Sequence, residues 1–99
     1  MGLHRAIPTE FAARAERRRW FTRRDAEQLL DWLEEDGHRF IGMEVAEKQG
    51  DESWTLLADQ LDLSRQTDNF EAVRRGRDFL RDYDGRGRMF EPLWQERSQ

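Results

Sequence analysis

A chain of 99 residues is long enough for one domain with a modest hydrophobic core and too short for two. The aromatic content of 11% argues against disorder, because such side chains bring much apolar area into a core. The absence of cysteine excludes disulfides, thiolate metal sites and cysteine nucleophiles. Since the sequence has neither an apolar run that could span a membrane nor an apolar secretory signal, we expect a cytoplasmic protein.

The net charge of −4 is distributed unevenly along the chain. Residues 1–24 have a balance of +5, residues 25–62 one of −10, and residues 63–99 one of +1. The middle segment holds twelve acids against two basic residues, which repels nucleic acid and attracts basic surfaces. We therefore expect a basic protein partner, and neither nucleic acid nor a membrane.

We expect the first 20 residues to form a basic N-terminal arm or helix. Residues 9–20 are rich in alanine and arginine, which favours a helix, but Phe11, Ala12 and Ala15 form only a thin apolar stripe. We expect residues 21–96 to form a single α+β domain, which folds without the arm.

The pattern predicts a helix over residues 22–36. Thr22 can cap its N-terminus, and Gly37 stands where a left-handed residue commonly ends a helix. Between them, apolar residues recur at helical spacing, namely Ala26, Leu29, Leu30 and Leu33.

Residues 40–57 predict a β-hairpin. Ile41, Met43 and Val45 alternate with Gly42 and Glu44, as in a strand with one buried face. Residues 48–52 provide the turn, and the returning strand carries apolar side chains at Trp54, Leu56 and Ala58.

A second helix is predicted from Asp68, which can cap it with Glu71 at the third position, to Gly85. Its apolar face comprises Val73, Gly76, Phe79, Leu80 and Tyr83. Glycine within a helix costs about 1 kcal/mol relative to alanine, so Gly76 indicates close approach to a neighbouring backbone. Residues 89–94 predict a last strand, which Pro92 places at a sheet edge or ends early.

These elements predict a two-layer α+β domain in which two or three helices pack on a small three-stranded sheet. The last strand could pair with either hairpin strand, and parallel pairing would make the second helix a right-handed crossover. The expected core comprises Leu29, Leu33, Ile41, Met43, Val45, Leu56, Phe79 and Leu80.

The sequence contains no recognisable catalytic or cofactor-binding motif. The two histidines lie 34 residues apart without metal-binding spacing, the serines lack a nucleophile motif, and residues 85–87 do not form a phosphate loop. We expect no catalytic residue, metal ligand or cofactor, and hence a protein that is not an enzyme.

Several segments resemble small immunity proteins that accompany bacterial polymorphic toxins. They are LDWLEEDG at residues 30–37, FIGMEV at 40–45, the aromatic Trp54 of the second strand, and RRGRDFLRDY at 74–83. The resemblance covers about two thirds of the chain, and it implies an immunity-like or inhibitor-like protein that binds and blocks a toxin.

The candidate partner-binding residues are the acids of the hairpin and of the segment after it, with Trp54 as an aromatic anchor: Glu44, Glu47, Asp51, Glu52, Asp59 and Asp62. Electrostatic attraction would speed their encounter with a basic partner. The same acids could instead be a solvated face, and Trp54 a core residue. A second interpretation is a self-associating regulatory or assembly protein, a homodimer in which basic arm and acidic segment pair between chains.

Overall fold

The computed structural model describes residue 13 and residues 20–48, 54–57, 60–83 and 87–95, with the backbone alone at residue 54. The predicted helix over residues 9–20 lies almost wholly outside these ranges. Within them, helices α1 and α2 accompany a sheet of strands β1 to β4, which confirms the two-layer α+β prediction but with four strands rather than three. The elements in chain order are α1 Arg23–Glu35, β1 Arg39–Lys48, β2 Trp54–Leu56, β3 Leu61–Asp62, α2 Asn69–Asp82 and β4 Arg88–Gln95.

Strand β1 is the centre of the sheet. Along one edge it pairs with β4, from Arg39 opposite Gln95 to Glu47 opposite Arg88. Its other edge is shared by β2, which pairs with residues 46–48, and β3, which pairs with residues 42–43. Strand β2 corresponds to the predicted returning strand, whereas β3 is a further short strand that the sequence did not predict. Since all these pairings are antiparallel, the alternative of a parallel last strand is wrong.

A β-bulge interrupts β1 between Phe40 and Gly42. Because side chains alternate between the two faces of a strand, one extra residue shifts the alternation. Phe40 therefore faces the helices together with Met43 and Val45, and all three are fully buried. Ile41 is only half-buried, so its assignment to the predicted core face was wrong.

The hydrophobic core lies between the two helices and the faces of β1 and β4 that they cover. Five of the eight predicted core residues are fully buried in one cluster, and Phe79 packs against it: Leu29, Leu33, Met43, Val45 and Leu80. Leu56 is 49% exposed, so its prediction was wrong. Its register keeps it out of the core beneath the helices, because it lies opposite Ala46, whose side chain points away from them.

The helix ends follow the sequence signals. Thr22 accepts a hydrogen bond from the Asp25 amide at 3.2 Å, and Gly37 adopts the left-handed conformation with φ 77°. Asp68 accepts hydrogen bonds from the amides of Phe70 and Glu71, at 3.0 and 3.3 Å. These contacts satisfy amides that have no partner within the helix.

Gly76 marks a close approach, but to side chains rather than to the backbone that the sequence suggested. A Cβ atom at this position would lie 2.6 Å from Cε2 of Phe40 and 3.2 Å from Cδ1 of Leu30. Both neighbours are fully buried, so neither can move aside freely. Glycine here lets α2 pack against α1 and β1.

The chain before α1 also contributes to the sheet. Phe21 and Phe90 exchange two backbone hydrogen bonds of 2.8 Å, which pairs the chain with the edge of β4 that faces away from β1. Trp20, which the sequence analysis assigned to the arm, is only 4% exposed. A truncation that tests the arm should therefore retain Trp20.

We expect Gly76→Ala to destabilise the fold. The helix propensity of alanine favours the variant by about 1 kcal/mol, but overpacking a core costs about 1–3 kcal/mol. Chemical denaturation should show a net loss, whereas Arg75→Ala at the exposed neighbouring position should change stability by less than about 0.5 kcal/mol. A Gly76→Ala protein as stable as the parent would show that the Phe40 ring yields.

A matched pair of leucine truncations tests the assignment of the core. Leu33→Ala should lower the free energy of unfolding by about 2–5 kcal/mol, because Leu33 is fully buried. Leu56→Ala should cost less than about 1 kcal/mol, because the side chain already contacts water. Equal losses in urea melts would contradict the register between β1 and β2.

Candidate functional site

The two faces of the sheet differ in what covers them. Both helices pack on one face, and the alternation of side chains along each strand places a second set of residues on the other. We call this second set the outer face: Gly42, Glu44 and Ala46 of β1, Leu56 of β2, Asp62 of β3, and Met89, Glu91 and Leu93 of β4.

Two carboxylates lie side by side at the centre of the outer face. Glu44 of β1 is directly opposite Glu91 of β4. Glu44 is half-buried, whereas Glu91 is only 4% exposed. No sequence signal singles out Glu91, because this residue lies in a short apolar strand and its neighbour across the sheet depends on the register. Two acidic residues in directly opposite positions are a distinctive feature of this face.

Asp62 occupies the row beside this pair, opposite Gly42, and is exposed. Its Oδ1 accepts a hydrogen bond from the Ser64 amide at 3.0 Å. Hydrogen bonds from the backbone and the side chain of Ser64 lower the pKa of Asp62, with a smaller contribution from the positive charge of Arg65. Burial of the carboxylate opposes this shift. Asp62 is therefore ionised over a wider pH range than an ordinary aspartate.

Glu47 is separated from the other candidate acids. It lies two residues after Val45, which faces the helices, and so it belongs to the covered side of the sheet. Its Oε2 is 3.5 Å from Nε of Arg88 on β4, whose guanidinium lies 5.4 Å from the centre of the Tyr83 ring. The structure does not bring Glu47 together with Glu44 and Asp62.

Four of the candidate residues lie wholly or partly outside the part of the chain that the structure describes. Asp51, Glu52 and Asp59 lie outside the described residues, as does the side chain of Trp54. The backbone of Trp54 pairs with Lys48 in the ladder between β1 and β2. The predicted grouping of these four residues thus stays a prediction.

Part of the acidic segment is neutralised by arginines that lie far away in sequence. Nη2 of Arg77 on α2 donates hydrogen bonds to Asp31 at 2.7 Å and to Glu34 at 2.9 Å, both on α1. A charge count by segment could not show this, because the partners come together only when the helices pack.

Among the described residues, no group of three or more histidine, cysteine and acidic side chains is placed to bind a metal ion. No helix in the same part of the chain is both long and apolar enough to cross a membrane. No protein-family model matches the sequence, and neither a curated protein nor a solved structure matches it. The outer face must therefore be interpreted from its own geometry.

The carboxyl group of Asp62 provides a direct test of this geometry. In an NMR titration its pKa should lie below the ordinary value of 3.8, because the hydrogen bonds from Ser64 favour the charged form. A folded-state pKa below the unfolded one stabilises the fold fully above the unfolded-state pKa. That stabilisation disappears as the pH falls through the folded-state pKa.

Ser64→Ala serves as the control for this measurement. It removes the hydroxyl but keeps the backbone amide, so the pKa of Asp62 should rise while staying below its ordinary value. A pKa at or above the ordinary value in the parent protein would contradict the turn between Asp62 and Ser64.

Proposed function

We propose that this protein is a non-enzymatic binding module, immunity-like or inhibitor-like, whose outer face engages a basic surface of a partner protein. The observation that carries the proposal is the grouping of Glu44 and Asp62 with the 49% exposed Leu56 on the face of the sheet opposite helices α1 and α2. The alternation of the strands places the three side chains on the same side.

The physical basis is the combination of charge with apolar surface. Neighbouring strands lie about 4.8 Å apart, so carboxylates on β1 and β3 are within reach of one lysine-rich or arginine-rich segment. Charges of this kind mainly accelerate encounter, whereas buried apolar contacts contribute most of the affinity. Leu56 supplies such a contact among the described residues.

Ion pairs within the chain reduce the number of acids that can attract a partner. Asp31 and Glu34 contact Arg77, and Glu47 lies near Arg88, so arginines of the same chain already offset part of their charge. We assign the attraction for a basic partner to Glu44 and Asp62 because strand alternation places both on the outer face.

The sequence resemblance supplies the class of partner. Segments such as FIGMEV at residues 40–45 resemble toxin immunity proteins, and residues 42 and 44 of this segment lie on the outer face. We therefore propose a basic bacterial toxin as the partner, and the cytoplasm as the compartment in which the two proteins meet.

Charge reversal on the outer face tests the proposal. The double variant Glu44→Lys with Asp62→Lys should lose a partner that the tagged parent protein captures from a lysate of its native cells. Its association rate with that purified partner should fall at least about tenfold at low salt in stopped-flow measurements, and the salt dependence should shrink.

The matched control is Glu27→Lys with Glu35→Lys, two exposed acids of α1 that change the net charge by the same amount. Its association rate should fall by less than about threefold, because these residues lie outside the outer face. Thermal melts should confirm that both double variants fold. Equal loss of association in the two double variants would show that only total charge matters, and the outer face would then not be the site.

A further inference from the structure

A groove of about 440 Å³ lies on the helix-covered side of the molecule, between α2 and β3. Leu61, Phe79 and Tyr83 supply its apolar surface, and all three are half-buried. The rings of Phe79 and Tyr83 lie 5.2 Å apart between their centres. The groove is separate from the outer face, because Leu61 pairs with Met43, whose side chain points to the helices.

Three of the four charged residues that line the groove are held by neighbours on the same helix. Arg74 binds Glu71 and lies 3.2 Å from Asp78. Asp78 also accepts a hydrogen bond from Arg81 at 2.6 Å. The carboxylate of Asp82 lies 3.4 Å from the same Arg81. These groups already have partners of opposite charge.

Arg75 is the exception. It lines the groove and is exposed, and no described carboxylate lies within ion-pair distance of its guanidinium. The other arginines of α2 differ in this respect, since Arg74, Arg77 and Arg81 each contact at least two carboxylates. Arg75 thus has no ion pair among the described carboxylates, although its charge contributes to lowering the pKa of Glu71 one turn away, and its guanidinium can reach a ligand in the groove.

We propose that this groove binds a short acidic peptide segment of a partner protein, in which a carboxylate lies next to an aromatic or branched aliphatic residue. The carboxylate pairs with Arg75, and the apolar side chain packs on Leu61, Phe79 and Tyr83. A guanidinium presents several hydrogen-bond donors in one plane and can bind a carboxylate through two parallel hydrogen bonds. This site is separate from the outer face, and it does not depend on the function proposed for that face.

The charges around the groove favour a peptide over nucleic acid. Each strand of a DNA duplex carries one phosphate per about 3.4 Å of helix axis, so several phosphates would approach the groove together. One available guanidinium can pair with a single carboxylate but cannot neutralise several phosphates. A single carboxylate beside an apolar side chain matches both the charge and the apolar surface.

Two synthetic peptides test the proposal, Ac-Gly-Phe-Asp-Gly-NH2 and its asparagine counterpart Ac-Gly-Phe-Asn-Gly-NH2. In NMR titrations of the isotope-labelled protein, the aspartate peptide should give saturable shifts at the amides of Leu61, Phe79 and Tyr83. The asparagine peptide should bind at least about fivefold more weakly, because it lacks the charge that a guanidinium recognises. The difference between the peptides reports the carboxylate alone.

The variant Arg75→Gln should reduce this preference for aspartate to less than about twofold, whereas Arg75→Lys should keep part of it. Arg24→Gln, which removes an exposed arginine of α1, should leave the preference unchanged. The proposal fails if the shifts do not appear at the three groove residues, or if Arg75→Gln retains the full preference. Stronger binding of a six-nucleotide thymidine strand at the same residues would also overturn it, in favour of nucleic acid.

Discussion

The bulge at Ile41 is the constraint on which the rest of this structure depends. A strand alternates its side chains strictly, so one extra residue decides which of them meet the helices. Because of it, Phe40 joins Met43 and Val45 in the core. The amide side chain of Asn69, the first residue of α2, then accepts a hydrogen bond from the Phe40 amide at 2.9 Å and donates one to the His38 carbonyl at 3.0 Å. It continues the hydrogen bonding of β1 and holds α2 against the strand.

Arginine side chains form hydrogen bonds between helices and strands that lie far apart in the sequence. Arg39 donates to the carbonyls of Ser64 and Gln66, at 2.7 and 3.3 Å, and so holds the segment between β3 and α2 against β1. Arg23 donates to the Tyr83 carbonyl at 2.8 Å, which joins the start of α1 to the end of α2. Hydrogen bonds from a charged group contribute about 1.5–3 kcal/mol when protected from water and less when exposed, so these contacts refine a fold that apolar burial drives.

The distribution of charge follows from the two-layer architecture. Where the helices meet, acids of α1 and arginines of α2 neutralise one another, as at Asp31, Glu34 and Arg77. On the outer face the acids project from the side of the strands opposite α1 and α2, and Glu44 and Asp62 share this face with Leu56. The fold thus separates the charges of the chain into an acidic face and a groove beside α2 that contains one available arginine. The two proposed sites call for ligands of opposite charge, and they do not overlap.

The sequence by itself determined the elements whose signals are local. Helix α1 between Thr22 and Gly37, the Asp68 cap of α2 and the α+β class follow from capping residues and apolar periodicity, and the acidity of the segment that holds Glu44 and Asp62 follows from counting charges. Only the tertiary structure decided which residues share a face. The bulge moved Ile41 out of the core, the register exposed Leu56 and put Glu91 beside Glu44, and strand alternation separated Glu47 from both. The packing of the helices likewise determined which arginines form ion pairs, and Arg75 forms none with the described carboxylates. These outcomes depend on pairings between residues far apart in the chain, whose energies no local pattern records.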